Sequence, residues 1–219
     1  MIKIEHTNVY GFEAAIRGMR NPWNSWEKSD SYPTYIEDEH TLQRAPFEFF
    51  VGDNDLALMK KLVNAGTDHS KFMRMINVTC DITAPMYWWA EYDTYKVGTV
   101  RNSCSKMHTI TNKEFELEDF SHEHLDTWGT NWLEQIIEVL NVGLGSYLHS
   151  HDKDDWWQII QLLPSSYNQR ATVQLNYAVL RNMYHARKNH PLDEWCDFCR
   201  WIESLPYSEL ITGGNGDEM

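Results

Sequence analysis

Strands are predicted where apolar and polar residues alternate along the chain. Residues 2–6 and 76–83 alternate as half-buried strands do. Residues 171–175 predict a further short strand. Segments with helical patterns separate these strands along the chain, so the sequence predicts a mixture of the two kinds of element.

Helices are predicted where apolar residues recur three and four positions apart. This spacing is found in the segments 11–19, 130–148, 152–163 and 192–202. The helix at 152–163 is expected to end at Pro164, because a proline inside a helix removes a backbone hydrogen bond.

Residues typical of helix ends predict three further helices. Asp53 or Asn54 is a candidate N-cap for a helix that Gly66 would end. Pro85 suits the first turn of a helix reaching to residue 95. Asn176 is a candidate cap for a helix that runs through residue 187.

Composition predicts one folded domain. A chain of 219 residues can bury a sufficient core without disulfides or a metal. Hydrophobic residues make up 42% and charged residues 23%, which favours a folded protein over a disordered one. The first residues lack the pattern of a secretory signal, and no apolar run approaches the ~18 residues of a membrane span. We therefore expect a cytoplasmic protein without membrane contact, with one domain over residues 1–212 and a flexible tail at 213–219.

Charge is unevenly distributed along the chain. The net charge of −13 argues against general binding to nucleic acid, which requires a basic surface. However, the segments 94–108 and 165–190 contain seven Lys and Arg and no Asp or Glu, so the rest of the chain carries −20. Either segment alone is typical of a solvated surface, but two together could attract a small anion such as a nucleotide phosphate.

Several common site motifs are weak or absent. Cys196 and Cys199 have C-x-x-C spacing, but they lie in the predicted helix at 192–202 and are best explained as two small core residues. The His-x-His pairs at 122–124 and 149–151 lack an H-E-x-x-H pattern or a convergent cysteine set, so no metal site is predicted. The sequence also lacks G-x-S-x-G, G-x-G-x-x-G and P-loop motifs, which argues against a serine hydrolase, a Rossmann dehydrogenase and a phosphate-loop enzyme.

Three blocks of sequence follow one another at a fixed spacing. The first is Gly66-Thr67-Asp68-His69-Ser70, and the second is Ile82-Thr83-Ala84-Pro85, a strand end followed by a helix start. The third is Leu163-Pro164, followed by Asn176, Asn182 and Arg187. In order and spacing these blocks resemble those of the flavin-dependent thymidylate synthases.

The signature motif of that family is altered here. The motif Arg-His-Arg-x-x-Ser-x-Asn-Glu-x-Ser-x-Arg-Tyr falls on residues 94–107, counting on from the second block. Three replacements are conservative: Lys96 and Lys106 for arginine, and Thr99 for serine. The other six defined positions depart from the motif, and they are Thr94, Tyr95, Arg101, Asn102, Cys104 and Met107. A lysine supplies charge to a phosphate but not the two-pronged hydrogen bonding of a guanidinium.

The resemblance implies two sets of binding residues. The set expected at the flavin is His69, Thr94, Tyr95, Lys96, Thr99, Asn176, Asn182 and His190. The set expected at the nucleotide is Glu91, Cys104, Ser105, Lys106 and Arg187, of which Arg187 is also the expected catalytic residue. Read without the resemblance, Asn176 would simply cap its helix and Arg187 would lie in a solvated last turn.

The resemblance also implies a fold and a reaction. The fold is α/β (α+β), with a twisted, mainly antiparallel sheet and flanking helices, assembled as a homotetramer with flavin between subunits. The reaction is the reductive methylation of dUMP to dTMP with FAD, NADPH and methylenetetrahydrofolate. Two alternatives stay open: an enzyme acting on another pyrimidine nucleotide, and a catalytically silent relative that keeps the fold for nucleotide binding or assembly. The ten tryptophans independently favour a homo-oligomer, because aromatic residues are enriched at interfaces.

Two residues carry further expectations. The implied reaction needs no protein nucleophile, but Cys104 lies between Arg101 and Lys106 and stays a candidate nucleophile in a diverged enzyme. Arg187 is expected to be a surface residue, so that Arg187→Ala would leave the thermal midpoint of the ligand-free protein nearly unchanged.

Overall fold

The structure, a computed structural model, describes residues 1–37 and 44–213, and of residues 35–37 and 44–48 only the backbone. The strands are β1 (Lys3–Tyr10), β2 (Tyr32–Glu37), β3 (Arg44–Phe50), β4 (Asn77–Pro85), β5 (Val100–Ser103) and β6 (Asn168–Asn176). The helices are α1 (Phe12–Arg20), α2 (Asp53–Asn64), α3 (Met86–Tyr92), α4 (Lys106–Thr109), α5 (Thr127–Ser150), α6 (Lys153–Leu162), α7 (Tyr177–Arg187), α8 (Asp193–Glu203) and α9 (Glu209–Thr212). Short 3-10 helices lie at Asn21–Trp23, Trp26–Lys28, Lys71–Arg74 and Leu117–Asp119. All but the first residue of the predicted flexible tail lies outside the described residues.

A four-stranded antiparallel sheet forms the centre of the fold, in the order β1-β4-β6-β5. The alternation seen in the sequence buries one face of β4, where Val78, Cys80 and Ile82 pair across to β6. Strands β2 and β3 form a separate antiparallel pair. The prediction of an α/β fold with a mainly antiparallel sheet and flanking helices is confirmed.

The predicted helices are present, with two corrections at their ends. Helix α2 begins at Asp53, and the residue at its N-cap position is Gly52 rather than Asp53 or Asn54. Helix α3 ends at Tyr92, three residues earlier than predicted. Its last turn closes early because the hydroxyl of Thr94 donates to the carbonyl of Glu91 at 2.7 Å, which satisfies a helix-end carbonyl locally.

Two hydrophobic cores hold these elements together. The larger lies between the sheet and its helices, and among its fully buried side chains are Trp88, Trp195 and Phe198. The smaller joins α5 and α6 to the segment before α5. Cys199 is buried, Cys196 is half-buried and both thiols are free, which confirms that this C-x-x-C pair belongs to a packed helix. The single domain over residues 1–212 stays a prediction.

A buried ion pair fixes the loop that follows α1. The guanidinium of Arg20 donates to the carboxylate of Asp55 at 2.6 Å, and the exposed fractions of the two residues are 5% and 0%. Asp55 also accepts the hydroxyls of Ser29 and Ser31, each at 2.6 Å. Burial raises the pKa of Asp55, but the hydrogen bonds from Ser29, Ser31 and Arg20 outweigh burial and hold that pKa below its usual value.

Helix α5 has a second apolar face besides the one in the core. Leu133, Ile137, Leu140 and Leu144 face inward. The other face carries the exposed residues Trp128, Trp132, Ile136, Val139 and Val142, which we call the α5 stripe. Positions three and four apart lie on one side of a helix, so the stripe is continuous over about 21 Å. No described helix combines the length and the apolar character needed to cross a bilayer.

Candidate functional site

The predicted site residues fall into three groups in the structure. One group surrounds Arg187 at the C-terminal end of α7, and we call it the Arg187 cluster. A second lies around the N-terminal end of α7. A third lines a cavity beside α4, which we call the Lys106 cavity after its half-buried lysine.

The Arg187 cluster joins α3, α7, α8 and the turn between the last two. Arg187 Nη1 donates to Glu91 Oε2 at 2.6 Å, and Arg187 Nε donates to the hydroxyl of Tyr95 at 2.9 Å. The guanidinium carbon also lies 4.7 Å from the centre of the Trp195 ring, within the range of a cation–π contact. The side chain of Arg187 is only 19% exposed. The expectation of a solvated surface arginine is therefore wrong, because packing of α7 beside α8 covers this residue.

One oxygen of Glu91 is the centre of the cluster. Glu91 Oε2 accepts the Trp195 indole N–H at 3.2 Å in addition to Arg187, and His190 Nε2 lies 3.3 Å away. His190 Nδ1 accepts the backbone N–H of Leu192 at 3.2 Å. Because Nδ1 accepts, the ring proton of a neutral His190 is on Nε2, the nitrogen nearest Glu91. Two hydrogen-bond donors and the His190 ring thus surround one carboxylate oxygen.

Around the N-terminal end of α7, Asn176 has a structural role. Its side-chain oxygen accepts the backbone N–H of Val179 at 3.0 Å, so the predicted helix cap is confirmed. Gly98 lies directly against this cap, and its φ of +78° is a conformation that L residues rarely adopt. A Cβ at Gly98 would lie 2.7 Å from Asn176 Nδ2. The turn before β5 and the start of α7 are therefore in close contact.

The other residues predicted to bind flavin differ in whether their side chains are available to a ligand. Thr99 is turned inward, since its hydroxyl donates to the carbonyl of Tyr95 at 2.5 Å, and Thr94 is bound to its own helix end. Three exposed side chains make no hydrogen bond or ion pair with any described residue: His69, Lys96 and Asn182. Lys96 lies in the turn that contacts the start of α7, Asn182 lies on α7, and His69 precedes the 3-10 helix that packs on α7.

The Lys106 cavity has a volume of about 280 Å³ and contains the predicted residues Cys104 and Lys106 in its lining. Lys106 Nζ lies 3.1 Å from the sulfur of Met86, and no described carboxylate pairs with it. Burial, followed by the nearby positive charge of Arg101, lowers the pKa of this ammonium group. Arg101 is engaged elsewhere, with Asp93 at 2.6 Å and with the face of Trp89 at 3.8 Å. Of the other described cations in the lining, Lys113 pairs with Asp119 at 2.8 Å and Arg170 pairs with Asp81 at 2.7 Å. Among the described residues of this lining, Lys106 is therefore the cation that has no carboxylate partner.

Cys104 and Ser105 are both exposed beside this cavity. Ser105 occupies the N-cap position of α4 without a side-chain cap bond. A cavity of about 460 Å³ lies beside β1, α1 and residues 206–207, and one of about 490 Å³ lies between β1 and residues 201–206. The described residues that line these two cavities include none of the predicted site residues.

The structure adds one residue that sequence reasoning missed. Trp195 donates to Glu91 and stacks on Arg187, while its ring is fully buried against Trp88 and Phe198. In the sequence it is one of several aromatic residues at core positions of a helix, so only its place five residues after His190 distinguishes it. Within the described residues, no group of three or more His, Cys, Asp or Glu could hold a metal ion.

Comparison with known structures finds the same fold. The chain is similar to a flavin-dependent thymidylate synthase from Helicobacter pylori complexed with FAD and dUMP, with a TM-score of 0.67 and 17% identity over 96% of this chain and 97% of that chain. A second structure of that protein with FAD and dUMP gives a TM-score of 0.67 and 16% identity over 97% of each chain. The sequence matches no protein-family model and no curated protein. At this level of identity the similarity shows the fold alone.

Proposed function

We propose that this protein is a FAD-dependent enzyme of the thymidylate synthase type, acting in the cytoplasm. Its proposed reaction is the reductive methylation of dUMP to dTMP with methylenetetrahydrofolate and NADPH. The observation that carries the proposal is the similarity over nearly the full length of both chains to a protein complexed with FAD and dUMP. The cationic and amide groups at the positions of the family motifs support it.

The flavin is proposed to bind along α7. Its hydrogen-bonding partners would be His69, Lys96 and Asn182, whose side chains are exposed and have no described partner. This donor set suits a ligand that carries phosphate and ring carbonyl groups. Asn176 would position rather than bind, because its side-chain oxygen is used by the helix cap. When bound, the flavin supplies the hydride chemistry, and the protein supplies orientation and electrostatics.

The nucleotide is proposed to bind through Lys106 and Arg187. Lys106 offers an ammonium group without a described carboxylate partner at the edge of a cavity. Arg187 offers a guanidinium that already holds one anionic oxygen. Cys104 and Ser105 lie beside Lys106 and would contact the same ligand. These assignments predict that both basic residues contribute to affinity for the phosphate group.

Flavin binding can be tested directly. The protein, reconstituted with FAD and then separated from unbound FAD, is expected to retain the ~450 nm flavin band, since a cofactor enzyme holds the reactive ring in its fold. The variant Asn182→Ala is expected to weaken FAD binding about five- to tenfold, because it removes a partner worth ~1 kcal/mol. Asn64→Ala, at the exposed C-terminal end of α2, is the matched amide control. Protein with no FAD affinity at high micromolar concentration would contradict the proposal.

A second candidate function is nucleotide binding without catalysis. It is favoured by the internal engagement of Arg187, Thr94 and Thr99, which the reaction would otherwise use on ligands. The two functions differ in one measurement. A silent relative would bind FAD or dUMP yet form no dTMP when methylenetetrahydrofolate and NADPH are supplied.

The proposed assembly is a homotetramer in which the α5 stripe contacts a second copy. An apolar helix face of about 21 Å that is exposed in one chain can pair with itself across a two-fold axis. Light scattering is expected to give the mass of a tetramer for the parent protein. The double variant Trp132→Glu and Val139→Glu places two charges in the stripe and is expected to lower the mass to that of a dimer or a monomer.

Trp23→Glu is the control for this experiment, since Trp23 is 86% exposed and lies outside the stripe. Its mass is expected to equal that of the parent. A parent protein that stays monomeric at all concentrations would contradict the assembly and, with it, a flavin site shared between subunits.

A further inference from the structure

The three side chains around Glu91, those of Arg187, Trp195 and His190, are held in place by contacts other than Glu91. The Trp195 ring is fully buried in the main core. Arg187 is held by the hydroxyl of Tyr95 and by the face of the Trp195 ring. His190 is held through its other ring nitrogen by the backbone at Leu192. These three side chains therefore form a nest that would persist if the carboxylate moved away.

Glu91 itself is the movable part of this arrangement. Its side chain is 34% exposed, and the described partners of its carboxylate are the three side chains of the nest, two of which donate hydrogen bonds to it. It also lies in the last turn of α3, where the helix dipole disfavours a negative charge. The carboxylate is thus kept at this position by the side chains of the nest rather than by its own helix.

We propose that Glu91 is an internal occupant of an anion site and that a phosphate oxygen of the ligand replaces its carboxylate there. This inference rests on the proposed function, in which Arg187 binds the nucleotide phosphate. Carboxylates and phosphates accept the same charge-assisted hydrogen bonds from a guanidinium. A dianionic phosphate placed beside an ionised carboxylate would be repelled, so the two anions exchange rather than bind together. Glu91 therefore lowers the affinity of the parent protein for the phosphate group.

The test is calorimetric titration of dUMP into the parent protein and into Glu91→Gln. Glutamine keeps the size of the side chain but replaces a charged acceptor with a neutral one, which competes less for Arg187. We expect Glu91→Gln to bind dUMP about five- to fiftyfold more tightly than the parent. Deoxyuridine, which lacks the phosphate, is expected to bind both proteins equally. Equal or weaker binding of dUMP by Glu91→Gln overturns the inference.

Glu13→Gln is the matched control. Glu13 pairs with Arg17 at 2.6 Å on α1, outside the proposed site, so this variant removes the same charge from an ion pair of the same length. It is expected to bind dUMP as the parent does. A gain as large as that of Glu91→Gln would mean that the net charge of the protein is responsible and would overturn the inference.

Two further measurements separate the inference from the proposed function. Inorganic phosphate tests the anion site without a nucleotide: if Glu91→Gln binds phosphate more tightly than the parent but neither protein binds dUMP, the site stands and the nucleotide assignment fails.

The second measurement uses the parent protein and follows the indole N–H resonance of Trp195, which is assigned by its loss in Trp195→Phe. Phosphate is expected to shift this resonance as its partner changes, and an unchanged resonance at saturating phosphate overturns the exchange.

Discussion

Asp55→Asn is expected to lower the free energy of unfolding by about 3–5 kcal/mol, the cost of breaking a buried ion pair on one side. Arg20 would keep its charge at 5% exposure without a carboxylate, and Ser29 and Ser31 would lose a charged acceptor. Urea unfolding measures this loss. Glu13→Gln is the control, since its pair with Arg17 on the same helix as Arg20 is exposed and is expected to contribute about 0.5 kcal/mol or less.

The pKa of Asp55 fixes how the stability difference between the parent protein and Asp55→Asn changes with pH. The pKa of Asp55 is lower in the folded protein than its usual value, so the stabilisation is complete above that usual value and is lost as the pH falls through the folded pKa. The difference in free energy of unfolding between the parent protein and Asp55→Asn is therefore expected to become smaller at acid pH. A difference that stays constant from neutral pH to below pH 3 would contradict the role given to the ionised carboxylate.

Arg187→Ala is expected to weaken dUMP binding about ten- to a hundredfold, the typical cost of a lost charge-assisted contact. The structure adds an effect on the ligand-free protein. Glu91 would lose its closest partner, and the face of Trp195 would lose the guanidinium, so the free energy of unfolding should fall by about 1–3 kcal/mol. For a chain of this size each kcal/mol corresponds to about 2–4 °C in the thermal midpoint.

Arg187→Lys separates the two roles of this residue. A lysine keeps the charge but cannot donate to Glu91 and Tyr95 together as the guanidinium does. We expect intermediate dUMP affinity and a stability between those of the parent and Arg187→Ala. If all three proteins bind dUMP equally while stability falls, Arg187 is a structural residue of the α7 end and the nucleotide assignment fails.

The local elements were predictable from the sequence because each depends on residues that are neighbours along the chain. The alternation in β4 and the cap at Asn176 are local patterns, and both are found in the structure. Helix ends were predicted less well. Helix α3 ends three residues earlier than predicted, where the side chain of Thr94 binds the carbonyl of Glu91, and the spacing of apolar residues does not indicate such a contact. The order of the motif blocks likewise predicted the fold, which the structural similarity over nearly the whole chain confirms.

The partners of the site residues were decided by the tertiary structure alone. Glu91 and Arg187 lie 96 residues apart, and Arg20 and Asp55 lie 35 apart. The sequence determined that Arg187 ends a helix, but the packing of that helix beside α3 and α8 determined that it faces a carboxylate and the ring of Trp195. Contacts of this kind have no local signature, because they depend on which faces of distant elements the core brings together. The tertiary structure also decides whether a basic residue is available to a ligand. Among the described residues, Lys106 has no carboxylate partner, whereas Arg187 already holds the carboxylate of Glu91.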